Sequence, residues 1–109
     1  MLVLFDNGTP RTLARYLINH HMVTEARALG WEQLGNGELL KQAESRGFEV
    51  LVTTDKNLRY QQNLEGRRIA LVVLGQGRWS LIRHHVSQVV AAVNAATPGS
   101  FTEVEIPFE

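Results

Sequence analysis

The sequence predicts an α/β domain of three layers, in which helices cover both faces of a mostly parallel sheet of four to five strands. Three short, largely apolar segments indicate strands that are buried on both faces: residues 2–5, 48–53 and 69–74. Segments with helical spacing of apolar residues separate these strands, and that alternation is typical of parallel sheets. We expect one domain over residues 1–109, because single domains most often run to about 100–150 residues.

The first half of the chain contains a predicted helix after the first strand. Thr9 is an expected N-cap and Pro10 suits the first helical position, so we expect this helix to run to about Asn19. A further short strand is predicted around residues 22–24.

The second half contains two predicted helices and a last strand. Asn36 is an expected N-cap of a helix that ends before Gly47. Ser80 is an expected N-cap of the last helix, in which apolar residues recur at positions 82, 86, 89 and 93. Residues 101–106 alternate between apolar and polar and predict a half-exposed edge strand.

The composition excludes several classes of protein. The chain has 11 Lys and Arg, 11 Asp and Glu, a formal net charge of zero and no cysteine. It therefore has no disulfide framework, no thiolate zinc site and no broadly basic surface for nucleic acid. No apolar run approaches the ~20 residues of a membrane helix, and the apolar start ends at Asp6, before the ~7–15 residues of a signal peptide. We expect a cytoplasmic protein.

The two aspartates of the chain, Asp6 and Asp55, each follow an apolar strand. In open parallel sheets ligands bind beyond the carboxyl ends of the strands, where the strand order reverses. The alternative is turn chemistry, since aspartate also accepts backbone N–H bonds in turns and near helix starts. The occurrence of both at strand ends favours a site.

Glu38 is a candidate third acid. It lies in the first turn of the helix that Asn36 begins, at the same expected edge of the sheet. The alternative is compensation of the helix dipole, worth ~0.3–1 kcal/mol. Three neighbouring carboxylates would repel one another unless a cation lay between them. Mg²⁺ or Mn²⁺ prefers such oxygen ligands, and it could orient a phosphodiester and activate water.

The segment after Asp55 has the composition of a surface that contacts RNA. Four basic residues stand against one acid between residues 56 and 68, and residues 60–63 add an aromatic ring and three amides. Such groups bind phosphate and stack on bases, although a solvated arginine-rich loop has the same composition. The candidate RNA contacts are Lys56, Arg59, Tyr60, Arg67 and Arg68.

Three motifs in this order resemble the small PIN-like proteins, which are compact relatives of the VapC-type toxins. They are the strand that ends in Asp6, the stretch NGELL at 36–40 and the stretch VTTDKNL at 52–58. The resemblance covers nearly the whole chain. It implies a Rossmannoid PIN-like fold and a metal-dependent endoribonuclease in which Asp6, Glu38 and Asp55 hold Mg²⁺ or Mn²⁺. Family members are often encoded beside an antitoxin-like protein, so such a partner is expected.

One departure from the PIN pattern concerns the fourth acid. It usually follows the third closely, but here no Asp or Glu occurs between Asp55 and Glu65. Neutral groups would have to complete the set of ligands around the metal ion. We therefore assign supporting roles to four residues that follow the strand at 48–53: Thr54, Asn57, Gln61 and Gln62. We also expect a homodimer, because the alternating last strand and the valine-rich helix could each form an interface.

Two other functions are compatible with parts of this pattern. The first is a PIN-like RNA- or protein-binding module whose acids only cap turns, and the missing fourth acid favours it. The second is a phospho-receiver-like signalling domain. That chemistry requires an acid pair after the first strand and a lysine after the last, whereas Asn7 follows Asp6 and the only lysines are Lys41 and Lys56.

Overall fold

A five-stranded sheet forms the centre of the computed structural model, which describes residues 1–58 and 66–107. The strands are β1 Leu2–Phe5, β2 Met22–Glu25, β3 Val50–Thr53, β4 Ala70–Leu74 and β5 Phe101–Val104. The helices are α1 Asn36–Ser45, α2 Trp79–Ile82 and α3 Val86–Asn94, with 3₁₀ helices at Arg11–Tyr16 and Ala26–Leu29. All four strand pairings are parallel, which confirms the predicted sheet.

Helices cover both faces of the sheet, because successive side chains of each strand point to opposite faces. In β1, Val3 and Phe5 pack in one apolar cluster, together with side chains of α2, α3 and the first 3₁₀ helix. Leu4 packs in the other cluster, with α1 and the second 3₁₀ helix. All residues of β3 and β4 are buried, as expected for central strands of an α/β sheet. No helix in the described part of the chain is long and apolar enough to cross a membrane.

The strand order is β2-β1-β3-β4-β5, so the order reverses between β1 and β3. In doubly wound sheets of this order the ligand crevice lies at the carboxyl ends of the two strands that flank the reversal. Asp6 directly follows β1, and Asp55 lies two residues beyond the end of β3. Both aspartates are therefore at the position that the sequence predicted.

The first predicted helix differs from the observed one. Instead of a helix to Asn19 capped by Thr9, the chain forms a 3₁₀ helix over Arg11–Tyr16 without a side-chain cap. The hydroxyl of Thr9 donates instead to the carbonyl of Val52, at 2.8 Å. This bond ties the segment after β1 to β3, and Pro10 occupies the N-cap position of the 3₁₀ helix.

The other two predicted caps are also wrong. Gly35 occupies the N-cap position of α1, and the side-chain amide of Asn36, the first residue of the helix, donates to Asp55.

Ser80 lies inside α2, whose N-cap is Arg78. The predicted last helix is split in two, since α2 ends at Ile82 and α3 begins at Val86. The predicted edge strand is confirmed as β5, which pairs only with β4 and ends at Val104.

Glu44 connects the end of α1 to the start of β4. Its carboxylate accepts hydrogen bonds from the guanidinium of Arg67 and from the backbone N–H groups of Arg68, at 2.9 Å, and Ile69, at 3.4 Å. Burial alone would raise the pKa of Glu44, but these hydrogen bonds and the charge of Arg67 outweigh it and lower the pKa below its ordinary value. The ionised carboxylate therefore stabilises the fold.

We expect Glu44→Gln to lower the free energy of unfolding at neutral pH by about 1–2 kcal/mol, since hydrogen bonds to a charged group are lost. A carboxyl whose pKa is lowered on folding stabilises the protein above its unfolded pKa of about 4.3, and this contribution disappears as the pH falls through the folded value. The difference between wild type and variant should therefore shrink below about pH 4. Urea unfolding at several pH values measures it, with the exposed Glu32→Gln as control. A difference that grows on acidification would contradict this assignment.

Candidate functional site

Asp6 is held at the end of β1 by both its backbone and its carboxylate. Its N–H donates to the carbonyl of Val52 at 3.0 Å, which continues the pairing of β1 with β3. Its Oδ1 accepts the N–H of Asn7 at 2.8 Å, and its Oδ2 accepts the hydroxyl of Thr53 at 2.8 Å. The orientation of this carboxylate is therefore set by groups from two strand ends.

Asp55 is held in a similar way at the end of β3. Its N–H donates to the hydroxyl oxygen of Thr53 at 3.1 Å, and its Oδ1 accepts the N–H of Asn57 at 2.9 Å. Its Oδ2 accepts the side-chain amide of Asn36 at 2.8 Å. The first turn of α1 is thereby fixed beside the end of β3.

The hydroxyl of Thr53 links the two aspartates, because it donates to Asp6 and accepts from Asp55. Thr53 is fully buried, so this link is protected from water. Each aspartate carboxylate accepts two of the roughly four hydrogen bonds that it can accept. Both side chains are only partly buried and keep oxygen lone pairs available to a cation.

Glu38 lies in the first turn of α1, but its side chain is exposed and its Oε1 accepts the amide of Gln42 at 3.1 Å. Within residues 1–58 and 66–107, no group of three or more acidic or histidine side chains stands ready to hold a metal ion. The structure thus connects Asp6 and Asp55 and leaves Glu38 apart from them. The three-acid centre stays a prediction, which metal binding tests below.

Thr54 packs the loops after β1, β3 and β4 against one another. A Cβ atom on Gly8 would collide with the hydroxyl of Thr54, and a Cβ atom on Gly77 would lie 2.7 Å from the carbonyl oxygen of Gly8. Both positions therefore favour glycine, because these neighbouring atoms leave too little room for a side chain. Thr54 supports the site by this packing, and Asn57 supports it through its backbone N–H to Asp55.

We expect Gly77→Ala to lower the free energy of unfolding by roughly 1–3 kcal/mol, because the added methyl group meets a backbone oxygen that cannot rotate away. Gly8→Ala should be the milder change, and it should be relieved in the double variant with Thr54→Ala, where the colliding hydroxyl is removed. Thermal unfolding of the four proteins measures both effects. Equal stability of Gly77→Ala and wild type would contradict the close packing of these loops.

The sequence did not single out the residues that orient the site. The sequence pattern predicts Thr53 only as part of a strand and Asn36 as a helix cap. It marks Asn7 only as the neighbour of Asp6. The side chain of Asn7 donates to the carbonyl of Glu32 at 2.9 Å and so joins the loop after β1 to the loop before α1. The sequence feature that could have identified Thr53 and Asn36 is their polarity. Thr53 ends an apolar strand, and Asn36 lies two positions before Glu38.

The predicted RNA contacts are divided between two edges of the sheet. Lys56 is exposed directly after Asp55, at the carboxyl edge. Arg67 and Arg68 precede β4 and bond Glu44, so they lie at the amino edge and do not form one basic surface with Lys56. Four predicted residues, Arg59, Tyr60, Gln61 and Gln62, lie outside the described residues.

The fold and these strand ends define a doubly wound α/β domain with a pair of linked aspartates at its topological switch point. Comparison with protein-family models, with curated proteins and with solved structures finds no match to this chain.

Proposed function

We propose that the protein is a metal-dependent endoribonuclease of the PIN-like class, in which Asp6, Glu38 and Asp55 hold Mg²⁺ or Mn²⁺. One observation carries the proposal. The two aspartates follow the two strands that flank the reversal of strand order, and a single buried hydroxyl, that of Thr53, connects them. Two partly buried carboxylates with unused oxygen lone pairs suit a hard divalent cation.

The residues around the aspartates have separate roles in this proposal. Thr53 orients Asp6, and Asn36 orients Asp55. Glu38 is exposed, and within the described residues its side chain bonds Gln42 at the surface. In this proposal it joins the aspartates as a ligand by a change of rotamer. Lys56, beside Asp55, attracts the phosphate of the substrate. The cation, when bound, orients a phosphodiester and activates water for in-line attack.

Further parts of the proposal rest on the resemblance of the three motifs to PIN-like proteins. We propose that the substrate is cytoplasmic RNA, that the protein is the toxin of a toxin–antitoxin pair, and that an antitoxin-like protein inhibits it. A homodimer is the expected oligomer. Light scattering on the purified protein measures its mass, and co-purification with the product of a neighbouring gene tests the partner.

A binding module without catalysis is the second candidate, and a specific observation favours it. The Oδ1 atoms of Asp6 and Asp55 accept the backbone N–H groups of Asn7 and Asn57, which is the hydrogen bonding of aspartates that stabilise turns. The described residues also contain no assembled three-acid group. In this case the protein would bind RNA or another protein at the same edge without cleaving it.

Titration calorimetry with Mn²⁺ and cleavage of labelled RNA together separate the two candidates. The nuclease proposal requires Mn²⁺ binding that Asp6→Asn and Asp55→Asn weaken, and RNA cleavage in Mn²⁺ that EDTA abolishes. Intact RNA binding without Mn²⁺ binding would instead support the binding module. Absence of Mn²⁺ binding, of RNA binding and of cleavage in purified, partner-free protein would contradict the nuclease and the RNA-binding module, and would leave binding of another protein.

A further inference from the structure

Within residues 1–58 and 66–107, no strand pairs with the outer edge of β5. The carbonyl of Ser100, just before β5, and that of Val104, its last residue, accept bonds from Leu71 and Gly75, each at 2.9 Å, so the backbone groups of these two residues face β4. Backbone groups of alternate residues along a strand point to opposite edges, and the N–H and C=O groups of Glu103 therefore face away from β4. Glu105 follows one residue past the end of the strand. Such an edge can pair with a further strand.

This edge is negatively charged. Glu103 and Glu105 are both exposed, and neither forms an ion pair with any residue that the structure describes. The sequence contains no Lys or Arg after Arg83, so α3 and β5 offer these glutamates no basic neighbour. Lys56 lines a groove with both glutamates, so one positive charge stands against two negative ones. The outward-facing backbone groups of Glu103 thus lie at an edge with a net negative charge.

Two open grooves flank these glutamates. One, of about 460 Å³, lies between α3 and β5 and is lined by Gln88, Ala91, Ala92 and Thr102 as well as the two glutamates. The other, of about 490 Å³, continues past the end of β5 and is lined by Gly75, Ile106, Pro107, Lys56 and the same glutamates. A chain laid along β5 would have space for side chains in the first groove and would reach Lys56, next to Asp55, in the second.

The negative charge at the outer edge of β5 determines which kind of partner can bind there. A second copy of the chain, paired antiparallel through β5, would place Glu103 and Glu105 against the same glutamates of the copy, and like charges opposite each other destabilise a sheet. RNA phosphates would be repelled in the same way. An extended polypeptide segment with alternating Lys or Arg forms backbone hydrogen bonds along the edge and pairs its positive charges with the two glutamates.

We propose that β5 binds a basic, extended polypeptide segment as a sixth strand of the sheet. The surface is separate from the aspartates, and its function does not depend on nuclease activity. The bound segment would end at the groove that contains Lys56, beside the candidate site.

The test uses a short, blocked, fluorescent peptide of alternating Lys and Val with the full-length protein, and anisotropy measures its dissociation constant. We expect this peptide to bind at low salt, to bind more weakly at high salt, and to bind more tightly than a matched peptide of alternating Glu and Val. Glu103→Gln and Glu105→Gln should each weaken binding roughly two- to fivefold, as expected for one exposed charge pair. Glu32→Gln, which removes another exposed charge, should leave it unchanged.

N-methylation of the peptide distinguishes strand addition from simple charge attraction. Methyl groups on the amides that would face β5 should abolish binding, whereas methyl groups on the alternate amides should preserve it. Equal binding of both methylated peptides, equal binding of the acidic peptide, or unchanged affinity in the Glu103→Gln/Glu105→Gln double variant would each overturn the proposal. None of these measurements involves metal or RNA. A result that overturns the proposed strand addition therefore leaves the nuclease proposal unaffected.

Discussion

Replacing Asp55 or Asp6 with asparagine is expected to reduce Mn²⁺-dependent RNA cleavage at least about 100-fold, because loss of an outer partner of a metal ligand already costs 10–100-fold. The amide oxygen of asparagine can still accept one turn hydrogen bond, so the fold should be retained, whereas the charge that attracts the cation is lost. Initial rates on a labelled RNA, at saturating and limiting Mn²⁺, measure the effect.

The matched control for these variants is Glu32→Gln, which removes an exposed acid outside the site. Its rate should equal that of the wild type, and thermal unfolding should show that all variants are folded. Glu38→Gln then tests the third acid separately, with an expected loss of similar size. Cleavage that persists after both aspartate substitutions would show that neither aspartate is a metal ligand. A wild-type cleavage rate in Glu38→Gln would show that Glu38 is not a ligand.

Thr53→Val should reduce both Mn²⁺ affinity and cleavage by about 10–100-fold, because it removes the hydroxyl that orients the carboxylate of Asp6 and accepts the backbone N–H of Asp55. Valine has nearly the same shape, but it leaves a carboxylate oxygen of Asp6 and the N–H of Asp55 without this partner. We therefore also expect a loss of about 1–3 kcal/mol in the free energy of unfolding. Calorimetry, cleavage rates and urea unfolding measure the three quantities.

Thr53→Ser is the conservative variant, since it keeps the hydroxyl and loses only a methyl group. It should recover most of the Mn²⁺ affinity that Thr53→Val loses, although some stability is lost with the buried methyl. If the serine and valine variants bind Mn²⁺ equally, the effect of position 53 is one of packing and the hydroxyl does not orient the site.

The central strands and the aspartates could be predicted because their causes are local in sequence. The runs at β1 and β4 are apolar throughout and that at β3 is apolar up to its last residue, Thr53, as a strand covered on both faces requires. Once the sheet is parallel, Asp6 and Asp55 must lie at one edge, because the carboxyl ends of all strands meet there. The prediction that the two aspartates share one edge therefore requires no knowledge of contacts between distant segments.

The remaining features depend on contacts between distant segments. The split between α2 and α3 is invisible in the apolar pattern, since Ile82 and Val86 keep helical spacing across it. Asn36 and Thr9 have the residue types of caps, but tertiary hydrogen bonds to Asp55 and Val52 use their side chains instead. The position of Glu38 depends on its rotamer, which residue type and spacing do not determine.

The bond between Thr53 and Asp6 joins residues that are 47 positions apart in the chain. A nascent polypeptide that has formed β1 and α1 still lacks the partner that orients Asp6, and it acquires this partner only when β3 pairs with β1. Contacts between such distant segments form late, after the entropy of closing the intervening chain has been overcome. The two aspartates are therefore brought together only when β3 has joined β1, and any opening of β1 from β3 separates them at once.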